Sequence, residues 1–177
     1  MIRYAAAAVL GCVLLAGCGD DSTGPSQEEG GWQSVTSQGI TLRWRAQADS
    51  LELEVSAATT GWVGVGFDPT QQMSEANFLL GYVSGGAVEV RDDWGTGSFS
   101  HASDVSLGGT SDVVVGGGSE EAGETEVKMT IPLDSGDSYD RPLAEGSEYT
   151  VILAIGADGA DDFDSQHVAA ASVSIDI

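Results

Sequence analysis

Gly61-Trp-Val-Gly-Val-Gly-Phe67 is a short run in which almost every side chain is apolar or absent, and it decides how the rest of the chain is read. Two further runs share its character, Phe78 to Val83 and Tyr149 to Ile155. All three are bounded by Gly, Asp and Ser clusters that punctuate as turns. Their length is that of strands, and their unbroken apolarity predicts burial on both faces. Around them lie segments that alternate instead: Ile40-Thr-Leu-Arg-Trp-Arg45, Leu51-Glu-Leu-Glu-Val55, Ala87-Val-Glu-Val-Arg91, Glu126-Val-Lys-Met-Thr-Ile131 and Ser172-Val-Ser-Ile-Asp-Ile177. Each presents one apolar and one polar face at period two, as a half-exposed antiparallel strand does. No helical stretch follows the N-terminal segment, and no internal repeat is visible. About nine or ten short strands at turn-limited spacing, in a chain with 25 glycines, predict an all-β antiparallel sandwich, not a barrel or an α/β fold.

The N-terminus reads differently. Met1-Ile-Arg3 precedes an apolar run from Ala5 to Ala16, which ends at Leu15-Ala-Gly-Cys18. A charged start, a short apolar stretch and small residues before a cysteine are the pattern of a bacterial lipoprotein signal peptide, residues 1–17. The run is too short for a membrane span, which needs about 20 apolar residues. Cys18 is then the acylated first residue of the mature protein, held to a membrane outside the cytoplasm, on a periplasmic face or the cell surface. Residues 18–31 are small, polar and poor in apolar side chains, which predicts a flexible tether. Residues 32–177 suffice for one domain with a real core.

Charge narrows the partners. Six Lys and Arg stand against 28 Asp and Glu, a formal net charge of -22. Such a chain repels nucleic acid and anionic headgroups, while its acidity serves solubility or docking to a basic partner. Cys12 leaves with the signal and Cys18 is lipidated, so the mature domain has no disulfide and no thiolate ligand.

Taken together, Gly61-Trp-Val-Gly-Val-Gly-Phe-Asp-Pro69, Met73, Phe78-Leu-Leu-Gly-Tyr-Val83, Val88-Glu-Val-Arg-Asp-Asp93, Pro132 to Leu143, Ile152-Leu-Ala-Ile-Gly156 and Asp164-Ser-Gln-His167 resemble the core of a DOMON domain. The resemblance spans nearly the whole mature domain, in order. It implies an immunoglobulin-like sandwich that binds b-type haem or, in other branches, sugars. The haem branch is similar to the cytochrome domain of cellobiose dehydrogenase. Its axial ligands, a methionine after the tryptophan-containing strand and a histidine near the C-terminus, correspond to Met73 and His167.

The residues can also be weighed by themselves. Met73 lies in a polar loop with no obvious core to fill, whereas Met129 sits in an alternating strand and reads as core. His101, in Ser98-Phe-Ser-His-Ala-Ser103, reads as a solvent-exposed histidine and a distant second choice of ligand. Two histidines and no thiol do not suit structural zinc or blue copper, but haem brings four nitrogens and asks for two axial groups at most. Without Cys-x-x-Cys-His the attachment is non-covalent. Candidate walls are Trp62, Phe67, Phe78, Leu80 and Tyr82, with Trp94 and Phe163 from other loops; Arg91 and Arg45 are candidate propionate partners. Asp158, Asp161, Asp162 and Asp164 form a carboxylate cluster of the type that suits calcium, or simply a solvated turn. No nucleophile elbow marks a hydrolase. The expectation is a membrane-tethered electron-transfer module that serves a redox partner protein; the alternative is a carbohydrate-binding module without haem.

Overall fold

The computed structural model describes residues 23–177; the signal segment, Cys18 and the first part of the expected tether lie outside the described residues. Twelve strands follow in chain order: β1 (Thr23–Gln27), β2 (Gln33–Ser37), β3 (Ile40–Gln47), β4 (Ser50–Ala57), β5 (Val63–Phe67), β6 (Asn77–Ser84), β7 (Ala87–Gly97), β8 (Ser100–Ser103), β9 (Val114–Glu121), β10 (Glu124–Pro132), β11 (Glu148–Ile155) and β12 (Ala169–Asp176). A 3-10 turn at Glu29–Gly31 links β1 to β2, and a short helix, α1 (Asp104–Leu107), follows β8. The strands form two six-stranded sheets, β1-β2-β3-β4-β10-β9 and β12-β11-β5-β6-β7-β8, and every pairing is antiparallel.

The all-β sandwich is thus the architecture, with a few more strands than the alternation alone suggests. The additions are short or weakly patterned, and β1 falls within the stretch whose composition predicts a tether. Its residues have little to bury, but backbone pairing with β2 satisfies them along the sheet edge. The turn after β1 is fastened as well. The Arg43 guanidinium bonds the Glu28 carboxylate at 2.9 Å, and Arg43 and Arg45 both lie over the Trp32 ring, 4.9 and 4.8 Å from its centroid.

The core fills the space between the sheets. Trp44, Leu42, Leu53 and Met129 come from the first sheet and Phe67, Leu79 and Leu153 from the second, all fully buried or nearly so. Each such side chain removed from water contributes about 1.5–3 kcal/mol. Trp44 also donates its indole N–H to the Asp176 carbonyl at 2.9 Å, satisfying the one polar group it carries into the core.

The first sheet alternates buried and half-exposed residues, as in the pattern of β4, where Leu51, Leu53 and Val55 point inward. The second sheet departs from this. Strand β5 is buried at every position and β6 at all but two, which is the two-sided burial their unbroken apolarity predicts. In β11 the outward residues Ile152 and Ala154 are only half-buried. They border a cavity, and that cavity is why these strands are apolar on their outer face.

Candidate functional site

The cavity, of about 270 Å³, lies on the outer face of the second sheet. Its floor follows from strand register. Val63, Val65 and Phe67 of β5 face the core, so Gly64 and Gly66 face outward. Gly64 pairs Leu80 on one side and Ala154 on the other; Gly66 pairs Phe78 and Ile152. A Cβ at Gly64 would come within 2.5 Å of the Leu80 side chain, and one at Gly66 would collide with the Phe78 ring. The bare glycines therefore let Phe78 and Leu80 lie down across β5 as a flat apolar base.

Two groups of residues rise from opposite edges of that base. On the β7–β8 flank stand Met73, Phe99 and His101; on the β12 flank stand Asp164, Ser165, Gln166 and His167. Met73 reaches its place through backbone packing. The loop between β5 and β6 lies on β7, where the Glu75 N–H donates to Gly95 at 2.8 Å and the Gly95 N–H to Ala76 at 2.9 Å. A Cβ at Gly95 would overlap the Met73 carbonyl oxygen, so only glycine permits this approach. His167 is placed by the segment just before β12. Val168 donates its N–H to Ile155 at 2.9 Å, and the Trp62 indole N–H donates to the Ser165 hydroxyl at 3.0 Å. The carboxylate of Asp162 accepts from the Asp164 and Ser165 amides at 2.8 and 2.6 Å. Those amide bonds, the Ser165 one foremost, hold its pKa below the ordinary Asp value.

The sequence-derived candidates divide accordingly. Met73, His167, Trp62, Phe78 and Leu80 all line the cavity. Phe67 does not: it points the other way, fully buried between the sheets, because it sits in register with Val63 and Val65. Tyr82 lies on the outward face beyond the cavity, packed at a tilt against Phe163 with ring centroids 4.9 Å apart. Arg91 is engaged by Asp93 at 2.6 Å, donates to the Phe163 carbonyl at 3.1 Å and lies 3.5 Å from Asp164. It braces the His167 segment from the side without lining the cavity. Arg45 belongs to the opposite sheet, paired with Glu52, and Trp94 packs edge-on to Tyr139.

His101 differs most from its sequence reading. It is half-buried, lines the cavity, lies 5.8 Å from the Phe78 ring centroid and shares a 2.5 Å hydrogen bond between Nδ1 and the Asp93 carboxylate. Asp93 is wholly buried, and although burial pushes its pKa up, the bonds from His101 and Arg91 outweigh this and hold it down. With Nδ1 bound to that carboxylate, Nε2 is the free nitrogen of the ring. Phe99, Ile152, Ala154 and Ala170 are further lining residues without a local motif, brought in by register and by the β7–β8 hairpin.

The acidic run near the C-terminus is turn chemistry. Asp158 accepts the Thr60 N–H at 3.1 Å, and Asp162 caps the loop as described. Among the described residues, the cluster whose oxygens converge is a different one, Asp92, Asp104 and Asp140, on the inner side of β7.

The chain is thus an antiparallel two-sheet β sandwich with an apolar cavity on the outer face of one sheet, flanked by a thioether and two imidazoles. Residues 36–156 match the DOMON domain family, and the chain belongs to it. Among solved structures, the cytochrome b domain of pyranose dehydrogenase from Coprinopsis cinerea is similar at a TM-score of 0.57 and 15% identity, over 77% of this chain and 76% of that one. The cytochrome domain of Myriococcum thermophilum cellobiose dehydrogenase gives 0.59 and 8%, over 90% of this chain and 89% of that one. No curated protein matches the chain. At such identities the likeness is one of fold.

Proposed function

We propose that this domain holds one haem b, non-covalently, in the cavity on the outer face of the second sheet, with Met73 and His167 as axial ligands. It is read as an electron-transfer module, anchored by a lipid on Cys18 outside the cytoplasm and serving a redox partner protein. The observation that carries the reading is that Met73 and His167 reach one apolar cavity from opposite flanks of the sheet. A flat ring standing between two axial groups needs them on opposite sides, and two residues on one flank cannot supply that. Met73 and His101 share a flank, so His167 belongs to either possible pair, and Met73 and His101 compete for the other side.

Met73 is taken as the ligand on the DOMON resemblance; His101, with Nδ1 on Asp93 and Nε2 free, is the competing donor on that flank, and the variants below separate the two. Phe78, Leu80, Ile152 and Ala154 provide the apolar base such a ring lies against, and Trp62 holds the His167 segment through Ser165. Bound there, haem would supply reversible one-electron exchange, with a thioether favouring the reduced iron. The chain's part is to orient the two ligands and exclude water from the base.

Reduced-minus-oxidised spectra of the purified protein, supplied with haem, test the reading. A six-coordinate low-spin b-type spectrum is expected. His167→Ala should lose retention and Met73→Ala should leave a five-coordinate or water-ligated form, while His101→Ala keeps the low-spin spectrum. Protein that takes up no haem would end this reading, and oligosaccharide binding through exposed Phe99 at the rim, 82% accessible, would establish the carbohydrate-binding one instead.

A further inference from the structure

The inner side of β7 carries a second arrangement of oxygen atoms, separate from the cavity. Asp92 lies 2% exposed on the face of β7 that points between the sheets, and Asp104 opens α1 at 0% exposure. Asp140, from the connection between β10 and β11, completes the group: one carboxylate oxygen from each residue lies within 4.8 Å of the others. Buried carboxylates normally take a cation or several N–H donors. Here the donors run out. Asp92 accepts one bond, from the Asp112 N–H at 2.9 Å, and Asp140 accepts from the Ser135 hydroxyl and, at 2.7 Å, from the Asn77 side-chain amide. Both oxygens of Asp104 and Oδ1 of Asp92 have no partner.

Asn77 is an independent sign. It is 4% exposed and bonded through Nδ2 to Asp140, which fixes its amide against the cluster, yet its carbonyl Oδ1 is also without a partner. Four buried oxygens from three residues therefore lack any donor. No side-chain cation is available to them, since Arg43, Arg45, Arg91, Lys128 and Arg141, the basic residues of the described chain, are all paired with other carboxylates.

We propose that Asp92, Asp104, Asp140 and the Asn77 carbonyl bind one calcium ion. The donor set is all oxygen, which selects a hard cation. Opposite ligands of calcium, at about 2.3–2.6 Å each, stand about 4.6–5.2 Å apart, whereas those of magnesium stand about 4.0–4.2 Å apart. Oxygens that all lie within 4.8 Å of one another fit inside the calcium span. Magnesium also keeps several waters, and buried Asp92 and Asp104 leave room for them only on the side of half-buried Asp140. The ion joins β7, α1 and the β10–β11 connection, adding to the bonds of the Tyr139 hydroxyl to the Leu107 carbonyl and of Thr110 to the Asp137 carboxylate. It closes one end of the sandwich and fixes Asp92 next to Asp93, the residue that holds His101 and Arg91.

The experiment is calorimetric titration of the EDTA-stripped, full protein with CaCl2, paired with thermal melts in calcium, magnesium and EDTA. One calcium per chain is expected, with a melting temperature several degrees higher in calcium than in EDTA and a smaller shift in magnesium. Asp104→Asn should weaken calcium binding at least a hundredfold while melting in EDTA at or above the wild-type temperature, because it removes an uncompensated charge. Asp158→Asn with Asp161→Asn, on the solvated turn, should bind calcium as the wild type does. No heat of binding together with equal melts in calcium and EDTA overturns the proposal. So does a magnesium preference, or undiminished binding by a folded Asp104→Asn variant. The readouts do not depend on haem, so a colourless protein leaves this test intact.

Discussion

Met73 is held by its main chain, and that makes Gly95 the residue on which its position turns. The loop around it also contains Asp68, Gln72 and Glu75 at positive φ, an uncommon conformation for side-chain-bearing residues. Each costs on the order of 1–3 kcal/mol when the surroundings impose it. The loop tolerates this because β7 and the segment at Ser98 bond it from below. Gly95→Ala is therefore expected to cost about 1–3 kcal/mol of stability, by urea unfolding, as the new methyl drives the loop outward. In the haem-loaded protein it should weaken the methionine ligation band while leaving histidine binding in place. Unchanged stability and an unchanged spectrum would show that the loop finds its position without β7.

The same scale shows what was readable. Met73, Trp62 and Phe78, which line the cavity, sit in informative contexts, a methionine in a polar loop and aromatics in strands beside bare glycines, whereas His167 is singled out only by the family resemblance. Phe67 was misplaced because a run apolar on both faces conceals which face a given residue takes. Asp92 was legible in principle. In Ala87-Val-Glu-Val-Arg-Asp92 it falls on the parity of Val88 and Val90, so the alternation that predicts the strand also puts a carboxylate into its apolar face. His101 gave no such signal, since its partner Asp93 faces it only after β7 and β8 pair.

At the scale of elements, the segment between β11 and β12 is the one the site depends on most. It carries His167, and three side chains hold it: Trp62 through Ser165, Asp162 through two amides, and Arg91 beside Asp164. The depressed pKa of Asp162 gives a pH dependence of known sign. A carboxyl whose folded-state pKa lies below its unfolded value stabilises the fold above the unfolded value, near pH 4, and loses that contribution as pH falls through the folded one. In Asp162→Ala the Asp164 and Ser165 amides should exchange hydrogen faster than in the wild type at neutral pH, and the difference should shrink on acidification below about pH 4. A difference that persists unchanged into acid would assign the order of this loop to Trp62 and Arg91 alone.

The strands themselves were the most readable elements, because period-two alternation is a direct consequence of which face meets the core. Strands β1 and β9 were not, since little in their composition distinguishes an edge strand from a polar linker. Pairing with a neighbour already in place gives them their structure. Register, which no single segment contains, then set the floor of the cavity.

For the molecule as a whole, the excess of acid is nearly uncompensated, with five described cations, each already in an ion pair. Most of those pairs are partly solvated and contribute little to stability, about 0–1 kcal/mol each. The larger effect, that of the many unpaired carboxylates, is on encounter. Association with a basic redox partner should slow as ionic strength rises, since the Debye length falls from about 10 Å at 0.1 M salt to about 3 Å at 1 M. Stopped-flow reduction by a cationic donor at several salt concentrations measures this, and a salt-independent rate would point to a neutral docking face. The proposed anchor is tested at the same scale. Cys18→Ala should move the protein from the membrane to the soluble fraction without altering its spectrum.

Strand β1 sets the reach of that anchor. A flexible tether over the whole of residues 18–31 would let the domain roam; with pairing already begun at Thr23, only a handful of peptide units separate Cys18 from the first strand. At about 3.3–3.6 Å per residue even a fully extended leash of five spans under about 20 Å, less than the domain's own width. A lipidated protein would therefore ride close against the bilayer and meet partners in the plane of the membrane, trading search volume for local concentration.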